Sequence, residues 1–168
     1  RRIHWKVTAR RGQLFTRKTV ITPRTGVALI MDNSYTGRSS VLSRLIVEDK
    51  VVEGALAVAD YCLRKKMDCR VLCGDGSVFP ITGRGEFDLF YEFCGRVSFD
   101  KKLDASSLLE RAAGLGTNHY IVITHKLTPA LYKRAAEVMA RGGRLAVALS
   151  LDEPDENQQE LAAFLRAA

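Results

Sequence analysis

The chain has 168 residues, 46% of them hydrophobic and 27% charged, which is enough apolar content for one domain with a sizeable core and too balanced a mixture for a disordered polymer. Its net charge of +7 is concentrated at one end: residues 1–24 hold Arg1, Arg2, Lys6, Arg10, Arg11, Arg17, Lys18 and Arg24 and no acidic residue. Taking those eight from the 26 basic residues leaves 18 against 19 acidic ones, a nearly neutral remainder. No apolar run approaches the roughly 20 residues needed to cross a bilayer, and the first residues do not read as a secretory leader.

Cys62, Cys69, Cys73 and Cys94 form no Cys-x-x-Cys pair, and His4, His119 and His125 are scattered, so no local zinc spacing can be assembled. Buried free thiols in a reducing compartment are expected.

In chain order, "RIHWKVTAR" alternates Ile3, Trp5, Val7 and Ala9 with polar residues, the period of a half-buried strand whose cations face water. Gly12 breaks it, and residues 14–21 read as a second strand, a hairpin partner for the first. Pro23 and Gly26 punctuate a turn. "VALIM" (27–31) is a continuous apolar run, as in a strand covered on both faces. Residues 48–66 place Val51, Val52, Ala55, Leu56, Ala59, Cys62 and Leu63 on one helical stripe. "CRVLC" (69–73) reads as a strand ended by "GDGS". Residues 86–97 bring Phe87, Phe90, Tyr91 and Cys94 to helical spacing. Residues 104–116 form a helix capped by Asp104 and stopped by glycine. "YIVIT" (120–124) is a strand. Residues 128–143 form a helix with Thr128 as cap, Pro129 in the first turn and Gly142 at the end. Residues 144–150 are a strand, and a last helix follows Asp155 and Glu156.

This alternation predicts an α/β fold with a doubly wound, mainly parallel sheet flanked by helices. The expected division is a basic, β-rich lead-in over 1–25, part of a truncated upstream region, followed by an α/β domain over 26–168. Ligands of such sheets bind at the strand C-termini near a switch in strand order. Asp32, Gly74–Ser77 and Thr124–Lys126 fall at such ends.

The spacing Asp32-x-Ser34-x-Thr36 offers one carboxylate and two hydroxyls from a tight loop, hard oxygens suited to magnesium. The same residues also fit an Asx-type turn, in which Asp32 and Ser34 bond loop backbone. A hydrophobic strand ending in Asp-x-Ser-x-Thr resembles the metal-ion-dependent adhesion site of von Willebrand factor type A domains. The upstream "RRIHWKVTARRGQLFTRK" resembles the Arg-x-Ile-x-Trp, Ala-Arg and Gly-x-Leu signature of a prokaryotic family, domain of unknown function number fifty-eight. The resemblance extends by element order to about Ser150, with its tight motifs in residues 1–36.

The resemblance implies a von Willebrand type A-like fold with a degenerate adhesion site and no enzymatic activity. It also implies an assembly partnership with a MoxR-type AAA+ ATPase, in a protein that is membrane-anchored with this part facing the cytoplasm. Its ligand set would draw Mg2+ to Asp32, Ser34 and Thr36, with Thr82 supplied by a second loop. A third loop should supply an aspartate, where this chain has His125 after Thr124. The expected function is therefore a non-catalytic protein-interaction or assembly module, with or without a divalent metal.

Two alternatives use the same residues or the basic end. A haloacid dehalogenase-like phosphotransferase would employ Asp32 as nucleophile, although Ser34 stands where its general acid belongs. The basic surface of Arg1, Arg2, Lys6, Arg10, Arg11, Arg17 and Lys18 suits an anionic membrane or, with less support from aromatic residues, nucleic acid.

Overall fold

The computed structural model describes residues 26–37 and 40–151 in full, and the backbone of residues 2–3 and 16–17. Arg2–Ile3 (β1) and Thr16–Arg17 (β2) pair antiparallel, Arg2 opposite Arg17, in agreement with the expected hairpin partnership. The rest of the lead-in, including Arg1, Lys6, Arg10, Arg11 and Lys18, lies outside the described residues, as does the helix expected after Asp155 and Glu156.

The domain is built on a five-stranded sheet. Its strands are Val27–Met31 (β3), Cys69–Cys73 (β4), Val78–Ile81 (β5), His119–Thr124 (β6) and Arg144–Leu149 (β7), in the order β5-β4-β3-β6-β7. All neighbours run parallel except β4 and β5. The helices are Val41–Arg64 (α1), Arg84–Cys94 (α2), Ala105–Ala113 (α3) and Pro129–Ala140 (α4). This is the doubly wound, mainly parallel α/β architecture the alternation predicts, consistent with a von Willebrand type A-like fold.

The side-chain period of two sorts the strands into two apolar layers. On one face Leu29, Met31, Val71, Cys73, Ile81 and Ile123 meet Val51, Ala55, Ala59 and Cys62 of α1 and Phe87, Phe90 and Cys94 of α2. On the other, Ala28, Ile30, Leu72, Tyr120 and Val122 meet Leu108, Leu109 and Ala112 of α3 and Leu131 and Val138 of α4. All four cysteines are free, buried and in the first layer. Burial pushes the Cys94 thiol up to about 12, so it packs as a neutral apolar group.

Three departures from expectation have plain causes. Helix α1 begins at Val41, seven residues before the expected start, because Ser40 caps it by accepting the Ser43 N–H. Its first turns carry Val41, Leu42, Leu45 and Ile46 at helical spacing, but Val41, Leu42 and Leu45 stay exposed. At 24 residues α1 is about 36 Å long, whereas the five residues of β3 span about 16 Å. Next, "GDGS" is not simply a strand end but the turn of a hairpin: Ser77 N–H bonds Asp75 Oδ1 at 2.9 Å, and Gly76 takes a φ of +91° that favours glycine. The hairpin adds β5, an edge strand able to hold Pro80. Finally, the single helix expected over 86–97 ends at Cys94, and the chain then climbs back to the strand C-termini through residues 95–104.

The expected caps hold. Thr128 accepts the Leu131 N–H, and Asp104 accepts the Ser107 N–H and the hydroxyls of Ser106 and Ser107. Burial alone would raise the Asp104 carboxyl; the bonds from Ser107 and Ser106, with Lys126 nearby, outweigh it and hold the group below its usual range. A carboxyl lowered in the folded state contributes stability above its unfolded value of 3.8, and that contribution is lost as pH falls through the folded value. Replacing Asp104 by Asn keeps an acceptor for the cap and removes the proton linkage. Urea denaturation from pH 6 to pH 2.5 is therefore expected to show a shallower acid limb for Asp104→Asn, and superimposable limbs would contradict this assignment.

Candidate functional site

The order β4-β3-β6 places the switch in strand order between β3 and β6. Met31 pairs with Ile123, so Asp32, the first residue past β3, comes beside Thr124, the last residue of β6, and the Asp32 N–H bonds the Ile123 carbonyl at 2.9 Å. Asp32 and Asn33 are completely buried, and Ser34, Thr124 and His125 nearly so. A run of buried polar residues where two parallel strands end must satisfy itself, because water is not available to do so.

The Asp32 carboxylate is held from two sides. Its Oδ1 accepts the Ser34 N–H at 3.1 Å, the Asx turn that the spacing allows, and its Oδ2 accepts the Thr124 hydroxyl at 2.6 Å. The Thr124 oxygen in turn accepts the Lys126 N–H at 3.2 Å. His125 presses its ring against the same group: Nε2 lies 3.3 Å from the Tyr35 carbonyl, and Nδ1 lies 3.9 Å from Asp32 Oδ2 with no hydrogen-bond partner. Burial is the largest influence on His125 and lowers its pKa, overcoming the attraction of Asp32, so the ring is neutral near pH 7. Backbone contacts of the ring to Tyr35 and Asp32 work against that lowering without reversing it. Ser34 Oγ is the second buried atom of the group without a partner.

Asn33, which the sequence reading passed over, ties in the remaining loops. Its Oδ1 accepts the Gly74 N–H at 2.6 Å after β4, its Nδ2 donates to the Ser98 carbonyl at 3.0 Å, and its own carbonyl accepts the Lys101 N–H at 3.3 Å. The signal for it was present: an amide directly after a fully apolar strand has either to reach partners or to stay unsatisfied. Gly74 is required by closeness rather than by φ. A Cβ there would stand 2.7 Å from Asn33 Oδ1, 2.8 Å from the Leu103 carbonyl and 2.9 Å from Lys101 Cβ.

Of the expected metal ligands, Asp32 and Ser34 lie in this group. Thr36 does not complete it, since its hydroxyl donates to Glu48 Oε1 of α1 at 3.4 Å. Thr82 is a correction. Ile81 pairs with Cys69, the first residue of β4, so Thr82 follows β5 at the opposite end of the sheet, exposed to solvent. The cause is the hairpin, which reverses the chain direction before Thr82. The loop that does reach Asn33 and Ser34 is the one around Ser98 and Lys101.

These donors do not fit magnesium. Both carboxylate oxygens already accept protein donors, and the third loop presents a ring nitrogen where a hard oxygen is wanted. Among the described residues, no three His, Cys, Asp or Glu side chains gather closely enough to hold a metal ion. No helix among them is long and apolar enough to cross a membrane. No protein-family model matches the chain, and no curated protein does.

Two substitutions test the knot. Thr124→Val preserves shape but leaves Asp32 Oδ2 without its donor, which is expected to cost about 1.5–3 kcal/mol, whereas Thr124→Ser should cost less. Gly74→Ala should cost about 1–3 kcal/mol by overpacking. Urea midpoints with unchanged m-values are the measurement, and a neutral Thr124→Val would show that the bond to Asp32 contributes nothing.

Proposed function

We propose that the chain is a non-catalytic protein-interaction or assembly module that receives a partner on the strand-end surface around Asp32. The observation that supports this best is an apolar rim beside the polar knot. Tyr35, in the loop that leaves Asp32, is 62% exposed; Val41, Leu42 and Leu45, in the overhanging turns of α1, are 63%, 68% and 46% exposed. Large apolar side chains grouped near a strand-end crevice favour association, because removing them from water is worth about 25 cal/mol per Å2.

The buried carboxylate points the same way. Asp32 is shielded from solvent and held by Ser34 and Thr124, so it is not presented to an incoming phosphoryl group, which weakens the phosphotransferase alternative. A MoxR-type AAA+ ATPase is the partner to test first, on the strength of the resemblance carried by residues 1–36.

Substituting Leu42 and Leu45 together by Asp is expected to weaken binding of that ATPase at least ~10-fold, equivalent to about 1.4 kcal/mol. The melting temperature should hold, because both positions are exposed. Leu89→Asp, on α2 and equally exposed, serves as the control that leaves binding intact. Calorimetric titration in the presence of a chelator decides it: wild-type affinity in the Leu42/Leu45 double variant overturns the reading.

A further inference from the structure

The four cysteines are not equivalent. The stretch "CLRKKMDC" puts Cys62 in the last turn of α1 and Cys69 at the start of β4, and the turn between them folds both thiols into one apolar layer, each 1% exposed. We propose that Cys62 and Cys69 are a site of reversible oxidation, joined as a disulfide when the chain meets a hydroperoxide. The two sulfurs are already in hydrogen-bond contact, Cys69 donating its S–H to Cys62. That bond also divides the roles. It lowers the Cys62 thiol, with burial opposing, and raises the Cys69 thiol, with burial adding to the rise. Cys62 therefore gives up its proton first and acts as the nucleophile, and Cys69 resolves. For Cys73 and Cys94 burial is the largest influence and raises both, so they pack as inert thiols.

The turn supplies access. The Met67 N–H bonds the Cys62 carbonyl at 2.9 Å and the Lys66 N–H bonds the Leu63 carbonyl at 3.1 Å, a helix stop that ordinarily sets glycine in the left-handed position. Here Lys66 takes that position, with a φ of +54°. A side chain held there is strained, so this stop opens more readily than a glycine one, and its opening uncovers Cys62. The Cys62 thiolate then attacks one oxygen of the hydroperoxide. The O–O bond breaks, and the departing oxygen takes up the proton that Cys62 gave up, leaving as an alcohol or, from hydrogen peroxide, as water. The sulfur of Cys69 attacks the resulting sulfenic acid and passes its own proton to the leaving hydroxide. An S–S bond replaces the S–O bond and water departs, the electron pair having moved from sulfur to peroxide oxygen. The disulfide ties the end of α1 to β4, and it does not rest on any partner docking at the far end of that helix.

The test treats the full chain with hydrogen peroxide, caps the remaining thiols with iodoacetamide in denaturant and maps the peptides by mass spectrometry without reduction. The expected result is a Cys62 peptide linked to a Cys69 peptide, both recovered as thiols after dithiothreitol, with Cys73 and Cys94 oxidised at least ~10-fold more slowly. Cys69→Ser, whose hydroxyl keeps a donor beside Cys62, should stop the reaction at a sulfenic acid that dimedone traps. Cys62→Ser should slow oxidation of Cys69 at least ~10-fold. Lys66→Gly, which relaxes the turn, should slow linking roughly 3-fold or more. Circular dichroism confirms that each variant is folded. Absence of the Cys62–Cys69 link in the wild type, oxidation of Cys73 or Cys94 at the same rate, or an undiminished rate in folded Lys66→Gly overturns the proposal.

Discussion

A single carboxylate removed from water constrains the whole upper edge of this domain. Asp32 follows an apolar strand that is covered on both faces, so its side chain emerges inside the protein, where an unpaired charge would cost several kcal/mol. The Ser34 N–H from the same loop and the Thr124 hydroxyl meet that demand, and the second can do so only if β6 ends in register with β3. Pairing Met31 with Ile123 is therefore more than sheet geometry. A slip of one residue in β6 would take the threonine hydroxyl away from the carboxylate and turn Val122 and Tyr120 out of their core layer.

Asn33 extends the same logic sideways. Between its side chain and its carbonyl it binds Gly74 after β4 and the returning segment at Ser98 and Lys101, so two other loops converge on one residue. The lack of a side chain at position 74 is what lets them approach this closely. Neighbouring interactions of this kind are not additive, because loosening any loop leaves polar atoms of the others unsatisfied.

Much of this architecture was legible in the sequence, and the places where it was not have physical causes. Strands β3 and β6 announced themselves as unbroken apolar runs, and α4 as a capped segment with Pro129 in its first turn and Gly142 at its end, where φ is +82°. β5 was hidden because it is four residues long, contains Pro80 and lies at an edge, where neither alternation nor apolar content has to be strong. Missing that hairpin is what misplaced Thr82: a reversal of chain direction moves everything after it to the other end of the sheet. The early turns of α1 were hidden for a different reason. Val41, Leu42, Leu45 and Ile46 do stand at helical spacing, but the hydroxyl-rich segment runs directly up to them and only the Ser40 cap marks the boundary. Of the site, Asp32 and Ser34 could be read from spacing and Asn33 from its place behind an apolar strand, but the partners of Asn33 and the Ser98–Lys101 loop depend on long-range meetings that no local pattern encodes.

The overhang of α1 and the burial of Asp32 have a joint consequence for how this surface can work. A polar group whose bonds are all internal contributes order, not attraction, since any partner reaching it must first break contacts it already has. Attraction has to come from groups that gain on leaving water, and around this crevice those are Tyr35, Leu42 and Leu45. The two kinds of residue are joined covalently: the loop that leaves Asp32 passes through Tyr35, whose carbonyl faces His125, and feeds directly into the projecting helix. On the proposed reading, the knot sets the geometry of the rim and the rim would supply the energy of docking.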